Sequence, residues 1–190
     1  MKPRKIRGSL FVLLAMGLVG FPAHASAQGE GTPPPEADPA DVASVDAIVA
    51  AVYDVISGPA GQARDWDRWR SLFIPEARLI AVGRRQEGVA QPRVMTPEDY
   101  VQSAGGSLEE SGFFEDEIGR VQEEFGPVVH LFSAYQSRRT LDDPEPFSRG
   151  INSFQLMHDG NRWWVVTIFW TSEGPDFPIP QRYITRGGGR

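Results

Sequence analysis

The chain has 190 residues, no cysteine and a formal net charge of −6. The absence of cysteine excludes disulfide staples, a thiol nucleophile and thiolate metal centres. The acidic balance excludes nucleic acid as the main partner, because such a surface repels phosphates.

The first residues read as a leader. Lys2, Arg4, Lys5 and Arg7 form a basic region, Leu10 to Phe21 an apolar one too short for a comfortable membrane span, and Ala25-Ser26-Ala27 a small-x-small cleavage pattern. Residues 1–27 are therefore expected to be a signal peptide cut after Ala27, with an uncleaved anchor helix as the alternative, and the protein to be exported, periplasmic or secreted. No second long apolar run follows, so no membrane association is expected after removal. Without the leader, 15 basic residues face 25 acidic ones, a net charge of −10. All remaining basic side chains are arginines, which excludes lysine Schiff-base chemistry. Only His130 and His158 remain as histidines, too few for a His-rich zinc site; a mixed His/carboxylate site stays formally open, but no metal and no cofactor is expected.

Residues 28–40 (QGEGTPPPEADPA) are polar and rich in Pro and Gly, and read as a disordered linker. Asp38 is placed to cap a helix with Pro39 in its first turn. Val42, Val45, Ile48, Val49, Val52, Val55 and Ile56 recur at helical spacing until Gly58-Pro59. A short second helix spans 65–73, with Trp66, Trp69, Leu72 and Phe73 on one face and Pro75 as its stop. A strand is expected over 78–82, then a charged glycine-containing loop over 83–91 and a short return strand over 92–95. Thr96-Pro97-Glu98-Asp99 is a helix start: hydroxyl cap, proline in the first turn, acids facing the dipole. Gly105-Gly106 weakens this third helix, which should fade before Gly112.

Strands are expected over 113–124 and 128–140, joined at Phe125-Gly126-Pro127. The last large element is the hairpin over 149–173, RGINSFQLMHDGNRWWVVTIFWTSE, turning at Asp159-Gly160. Simple alternation puts Trp164, Val166, Ile168 and Trp170 on one face and Trp163, Val165, Thr167 and Phe169 on the other, so both faces need covering. The tail 174–190 is irregular, yet Phe177, Ile179 and Tyr183 make it too apolar to lie free; 186–190 read as frayed. Three helices followed by antiparallel strands make one α+β domain over 41–173, a curved antiparallel sheet wrapped around the helices.

The first helix VDAIVAAVYDVIS, the segment DWDRWRSLFIPEARLIAVG, the strand GPVVHLFSAYQSR and the final hairpin together resemble the nuclear transport factor 2-like superfamily, with its SnoaL-like cyclases, ketosteroid isomerases and scytalone dehydratases. The tail EGPDFPIPQRYI is similar to that of an exported bacterial subgroup of unknown role. The resemblance implies a cone fold with a central pocket. It does not imply an activity, since one fold hosts many. Matched to a ketosteroid isomerase, Tyr53 stands at the oxyanion-hole tyrosine, Ala81 at the general base and Asn152 at the second acid. Alanine takes no proton, so that enolisation is expected to be absent.

His130 is the alternative base, because imidazole titrates near neutrality. Glu115, Asp116 and Glu117 on the neighbouring strand would orient it; the competing reading is a hydrogen-bonded structural histidine. Candidate pocket residues are Tyr53, Trp66, Trp69, Glu115, Glu117, His130, Tyr135 and Asn152, each with a core role as the alternative. Three functions follow: a pocket for a small apolar ligand without assignable catalysis, a cofactor-independent lyase or isomerase using His130, or a structural, partner-binding module. A homodimer through the outer sheet face is expected, with the tail at its rim.

Overall fold

The computed structural model describes residues 33–83 and 90–184. The signal peptide expected over 1–27, most of the 83–91 loop and the frayed end expected over 186–190 lie outside the described residues.

Helix α1 (Val45–Ile56) starts later than the sequence suggested. Ser44 is its cap, accepting from the Ala47 amide, while Asp38 closes a separate turn through Ala40. Its apolar stripe is buried: Ile48, Val49, Val52, Val55 and Ile56 are each at most 5 % exposed. The linker expected over 28–40 is described from Pro33 onward. There Pro34, Pro35 and Ala37 are partly buried and Ala37 packs on the core, so this part is held rather than free.

Helix α2 (Trp66–Ser71) is capped by Asp65 and runs almost directly into strand β1 (Phe73–Val82). Pro75 therefore lies inside an irregular stretch of strand, not at a helix stop: pairing with the neighbouring strand breaks between Phe73 and Arg78. Strand β2 (Pro92–Met95) returns beside β1, and helix α3 (Pro97–Ser111) opens with a reciprocal capping box between Thr96 and Asp99. Gly112 ends α3 at φ 70°, a backbone region that favours glycine. The buried Arg64 ties the helix ends together. It donates to the carbonyls of Ile56 at the end of α1, of Gly58 just after it and of Leu108 in α3.

Strands β3 (Phe114–Phe125), β4 (Val128–Arg138), β5 (Ser148–His158) and β6 (Trp163–Ser172) complete a six-stranded sheet of order β2-β1-β6-β5-β4-β3. The expected antiparallel sheet is antiparallel throughout except at one seam, where β1 and β6 run parallel. Asp159 organises the last hairpin by accepting from the Asn161 and Arg162 amides, with Gly160 at φ 104°.

Which face each side chain takes corrects one expectation. Partners jump from Gln155↔Thr167 to Leu156↔Val165, so β6 carries an extra residue. The extra residue switches parity: Val165 before it and Ile168 after it are both buried in the core, with Trp163 and Trp170 packed against it. Neither simple alternating set lines the concave face. The tail is partly seated on the sheet. Its short 3₁₀ turn (Gln181–Tyr183) lies over β3 and β4, where the Tyr183 ring meets Phe132 at 5.5 Å.

Candidate functional site

Strand parity decides what enters the interior. Between Val129 and Ser137 on β4, the odd-numbered residues face the helices; on β5, Gly150, Asn152, Phe154 and Leu156 do so. Their apolar members seal the base against α1. Toward the other end the sheet and helices part and leave a cavity of about 230 Å³. Val52 and Ile56 of α1, and Tyr100 and Leu108 of α3, wall one side. The sheet adds Leu79, Phe154, Ile168 and Trp170. Phe113, Phe147 and Ser148 lie at the rim, and Phe147, 49 % exposed, marks where the cavity reaches solvent.

Into this apolar space the sheet puts few polar groups: Glu115 of β3, Tyr135 and Ser137 of β4, and Asn152 of β5. They belong to a hydrogen-bond chain that reaches α1. Ser137 Oγ donates to Glu115 Oε2 at 2.9 Å, and Asn152 Nδ2 lies 3.3 Å from Glu115 Oε1. The same Asn152 amide donates to the Tyr53 hydroxyl at 3.1 Å. The Tyr53 and Ser133 hydroxyls are 2.7 Å apart, and Ser133 donates to Glu117 Oε1 at 2.6 Å. With the Ser133 proton committed to Glu117, Tyr53 is the donor to Ser133.

Glu115 carries the electrostatic singularity of the site. Burial pushes its carboxyl up to about 7; the Ser137 and Asn152 hydrogen bonds pull the other way, and the Asp116 charge adds a little upward. Burial also raises the Tyr53 and Tyr100 phenols, helped in both by the Glu115 charge. Among the described residues Glu115 makes no ion pair, and no group of three or more His, Cys, Asp or Glu is placed to hold a metal ion.

Of the candidate residues, Trp69, Glu115, Tyr135 and Asn152 line the cavity, and Tyr53 joins through Asn152. Glu117 stands one step further off, behind Ser133. Trp66 does not line it: its ring packs beside Gly105 and its Nε1 donates to Glu109. His130 does not either. It alternates with buried Val129 and Leu131, so it points to the outer face, where it meets Ser153 Oγ at 3.2 Å and the Phe132 ring at 5.2 Å. Its cross-strand neighbour is Glu123, while Glu115 and Glu117 pair with Ser137 and Tyr135. The expected His130–carboxylate pair is not formed. Ala81 is partly buried on β1 and offers no proton acceptor. Sequence reasoning missed Tyr100, Ser137, Phe147 and Trp170; for Ser137 the signal was present, two residues beyond Tyr135 on the same strand.

The arrangement is an α+β fold in which three helices and a six-stranded sheet enclose an apolar cavity. No protein-family model and no curated protein matches the chain. Among solved structures, a protein of unknown function with a cystatin-like fold from Nostoc punctiforme matches with a TM-score of 0.52 at 11% identity, over 70% of this chain and 91% of its own. A protein from Kribbella flavida matches with a TM-score of 0.51 at 12% identity, over 70% and 90%. An NTF-2 like protein of unknown function from Silicibacter pomeroyi gives 0.48 at 12% identity, over 69% and 94%. At such identities the likeness is one of fold alone.

Proposed function

We propose that this is an exported protein that binds a small, largely apolar molecule in the cavity between α1, α3 and the concave sheet. The observation that supports it is the cavity itself. About 230 Å³ of space remains, walled by aliphatic and aromatic side chains around a few convergent polar groups. Such space favours the binding readings over a structural module whose pocket its own side chains fill. Trp69 and Trp170 line it, so occupancy should change tryptophan emission. Titration with phenethyl alcohol, a small neutral probe, should give a saturable change. Leu108→Trp, which places an indole in the space, should remove the saturable response. A linear response in both proteins would sink the reading. Export is checked by sequencing the mature N-terminus, expected near Gln28; secreted material beginning at Met1 would refute it.

A second reading, a cofactor-independent lyase or isomerase, moves from His130 to Glu115. A carboxyl held at about 7 inside an apolar pocket suits proton transfer near neutrality. Under it, Glu115→Gln abolishes turnover of any substrate found, whereas His130→Ala does not. The protein is further proposed to pair with a second copy through the outer face of the sheet.

A further inference from the structure

The cavity wall is unbalanced in charge. Glu115 is the one formally charged side chain that lines it; no arginine or histidine does so among the described residues. Elsewhere on the domain carboxylates pair with arginines, as Asp41 and Asp54 do with Arg68, and Glu98 with Arg70. Glu115 instead receives only the neutral donors Ser137 and Asn152, and these hold its two oxygens in place at the cavity wall. A largely buried carboxylate without a cation is an expensive arrangement, and a ligand that brings the cation offsets part of the expense.

The rings around the space point the same way. Tyr100 stacks on Trp69 at 4.9 Å and meets Trp170 edge-on at 6.5 Å, and Phe113 meets Phe147 at 6.1 Å. Aromatic faces attract a desolvated cation through the ring quadrupole, and they equally pack a flat apolar body. The net charge of −6 draws cations toward the molecule.

Resting on the binding reading above, we infer that the ligand is a small monocationic amine with a ring-bearing apolar body, its ammonium on Glu115 and its ring among Trp69, Tyr100 and Trp170. The preference should depend on pH. Asp46, Tyr53 and Asp54 from α1, Tyr100 from α3, Tyr135 from β4, and Asp116, Glu117 and Arg120 from β3 itself are the titratable and charged groups around Glu115. Burial keeps the Tyr53 and Tyr100 phenols neutral near neutrality; Asp46 and Glu117 lie against Arg120, Asp54 against Arg68 and Asp116 against Arg138, whereas Glu115 has no such cation and burial brings its own ionisation to about 7.

The test uses the full mature chain and three probes of one size: phenethylamine, neutral phenethyl alcohol and anionic phenylpropionate. Calorimetric or fluorescence titration should show the amine binding about tenfold tighter than the alcohol, and the anion weakest. The amine's advantage should grow between about pH 6 and about pH 8, where the alkylammonium stays charged and Glu115 ionises. In Glu115→Gln the amine and alcohol should converge to within about twofold while the alcohol still binds, which also shows that the variant is folded. Equal binding of amine and alcohol by the native chain, or an amine preference that persists in Glu115→Gln, overturns the inference and leaves the pocket reading standing. Failure of all three probes overturns the pocket reading and the inference with it.

Discussion

The Asn152 amide of β5 donates to the Tyr53 hydroxyl of α1 at 3.1 Å, joining residues 99 apart in the chain. Both groups are buried. Asn152 also reaches Glu115, so one side chain holds helix, sheet and cavity carboxyl together. Asn152→Ala leaves Glu115 with one donor fewer and takes a partner from Tyr53. It should lower unfolding free energy by about 1–3 kcal/mol, the usual penalty of a buried group left short of a partner. Denaturant melts of the two proteins measure this; an unchanged midpoint would show that water replaces the amide.

Glu115 should make stability fall as pH rises. Its folded value, about 7, lies above the ordinary carboxylate value that it regains on unfolding, so across that interval the folded state binds the extra proton. The stabilisation is complete below the unfolded value and is lost as pH climbs through about 7, after which the curve flattens. The loss should be about 2 kcal/mol, less than the full shift would give because the residue keeps some solvent contact. Glu115→Gln should be flat relative to the native chain over the same interval. Urea melts at a series of pH values supply the comparison, and parallel curves for the two proteins would place the Glu115 carboxyl back in the ordinary range.

Much of this could be read from residue order. The helix start at Thr96-Pro97-Glu98-Asp99 is a local chemical pattern, and it appears in the structure as a capping box. Parity on one strand is also legible. His130 and Tyr135 are five residues apart on β4, an odd spacing that puts them on opposite faces, so both could not line one cavity. The β6 bulge was not legible. Trp163 to Trp170 is apolar on every position, and nothing in the run says where the ladder skips a residue. The parallel β1–β6 seam was hidden for another reason: it joins residues about ninety apart, and short-range patterns carry no information on such pairing.

The glycine pair in α3 separates packing from propensity. A Cβ on Gly106 would meet nothing within 4 Å, so Gly106→Ala should stabilise by about 0.5–1 kcal/mol through helix propensity. A Cβ on Gly105 would lie 3.0 Å from the Trp66 ring, and there the gain should shrink or reverse. Gly150→Ala is the severe case. Its Cβ would fall 2.5 Å from the Tyr135 hydroxyl and closer still to the Thr171 carbonyl, which is backbone and cannot step aside. That variant should lose about 2 kcal/mol or more. Thermal melts of the three proteins should rank Gly106→Ala first and Gly150→Ala last.

His130→Ala tests the corrected placement. The imidazole's contacts are Ser153 and the Phe132 edge on the outer face. The variant should lose about 1 kcal/mol of stability and leave probe affinity in the cavity unchanged. A loss of binding with an intact fold would mean that the outer face, not the cavity, carries the site.

The last prediction concerns assembly. Beyond its bulge, β6 turns Phe169 outward and leaves it 46 % exposed, while the 3₁₀ turn of the tail lies over β3 and β4. Trp164, on the same outer side, is already engaged: the Arg162 guanidinium stacks 3.6 Å from its ring and its Nε1 donates to Asp159. Phe169 therefore stands as the uncovered apolar group near the middle of the sheet, between β1 and β5. A two-fold pairing would set this face against itself and bury each copy's Phe169 without adding a different complementary surface. The expected result is a dimer at micromolar concentration by light scattering. Phe169→Arg should shift it to monomer, since each interface would then bury two uncompensated guanidinium groups. The variant should remain folded and keep its affinity for the neutral probe, because the substituted side chain faces away from the cavity. A native chain that scatters as a monomer would refute the pairing, and a variant that stays dimeric would move the interface to another surface.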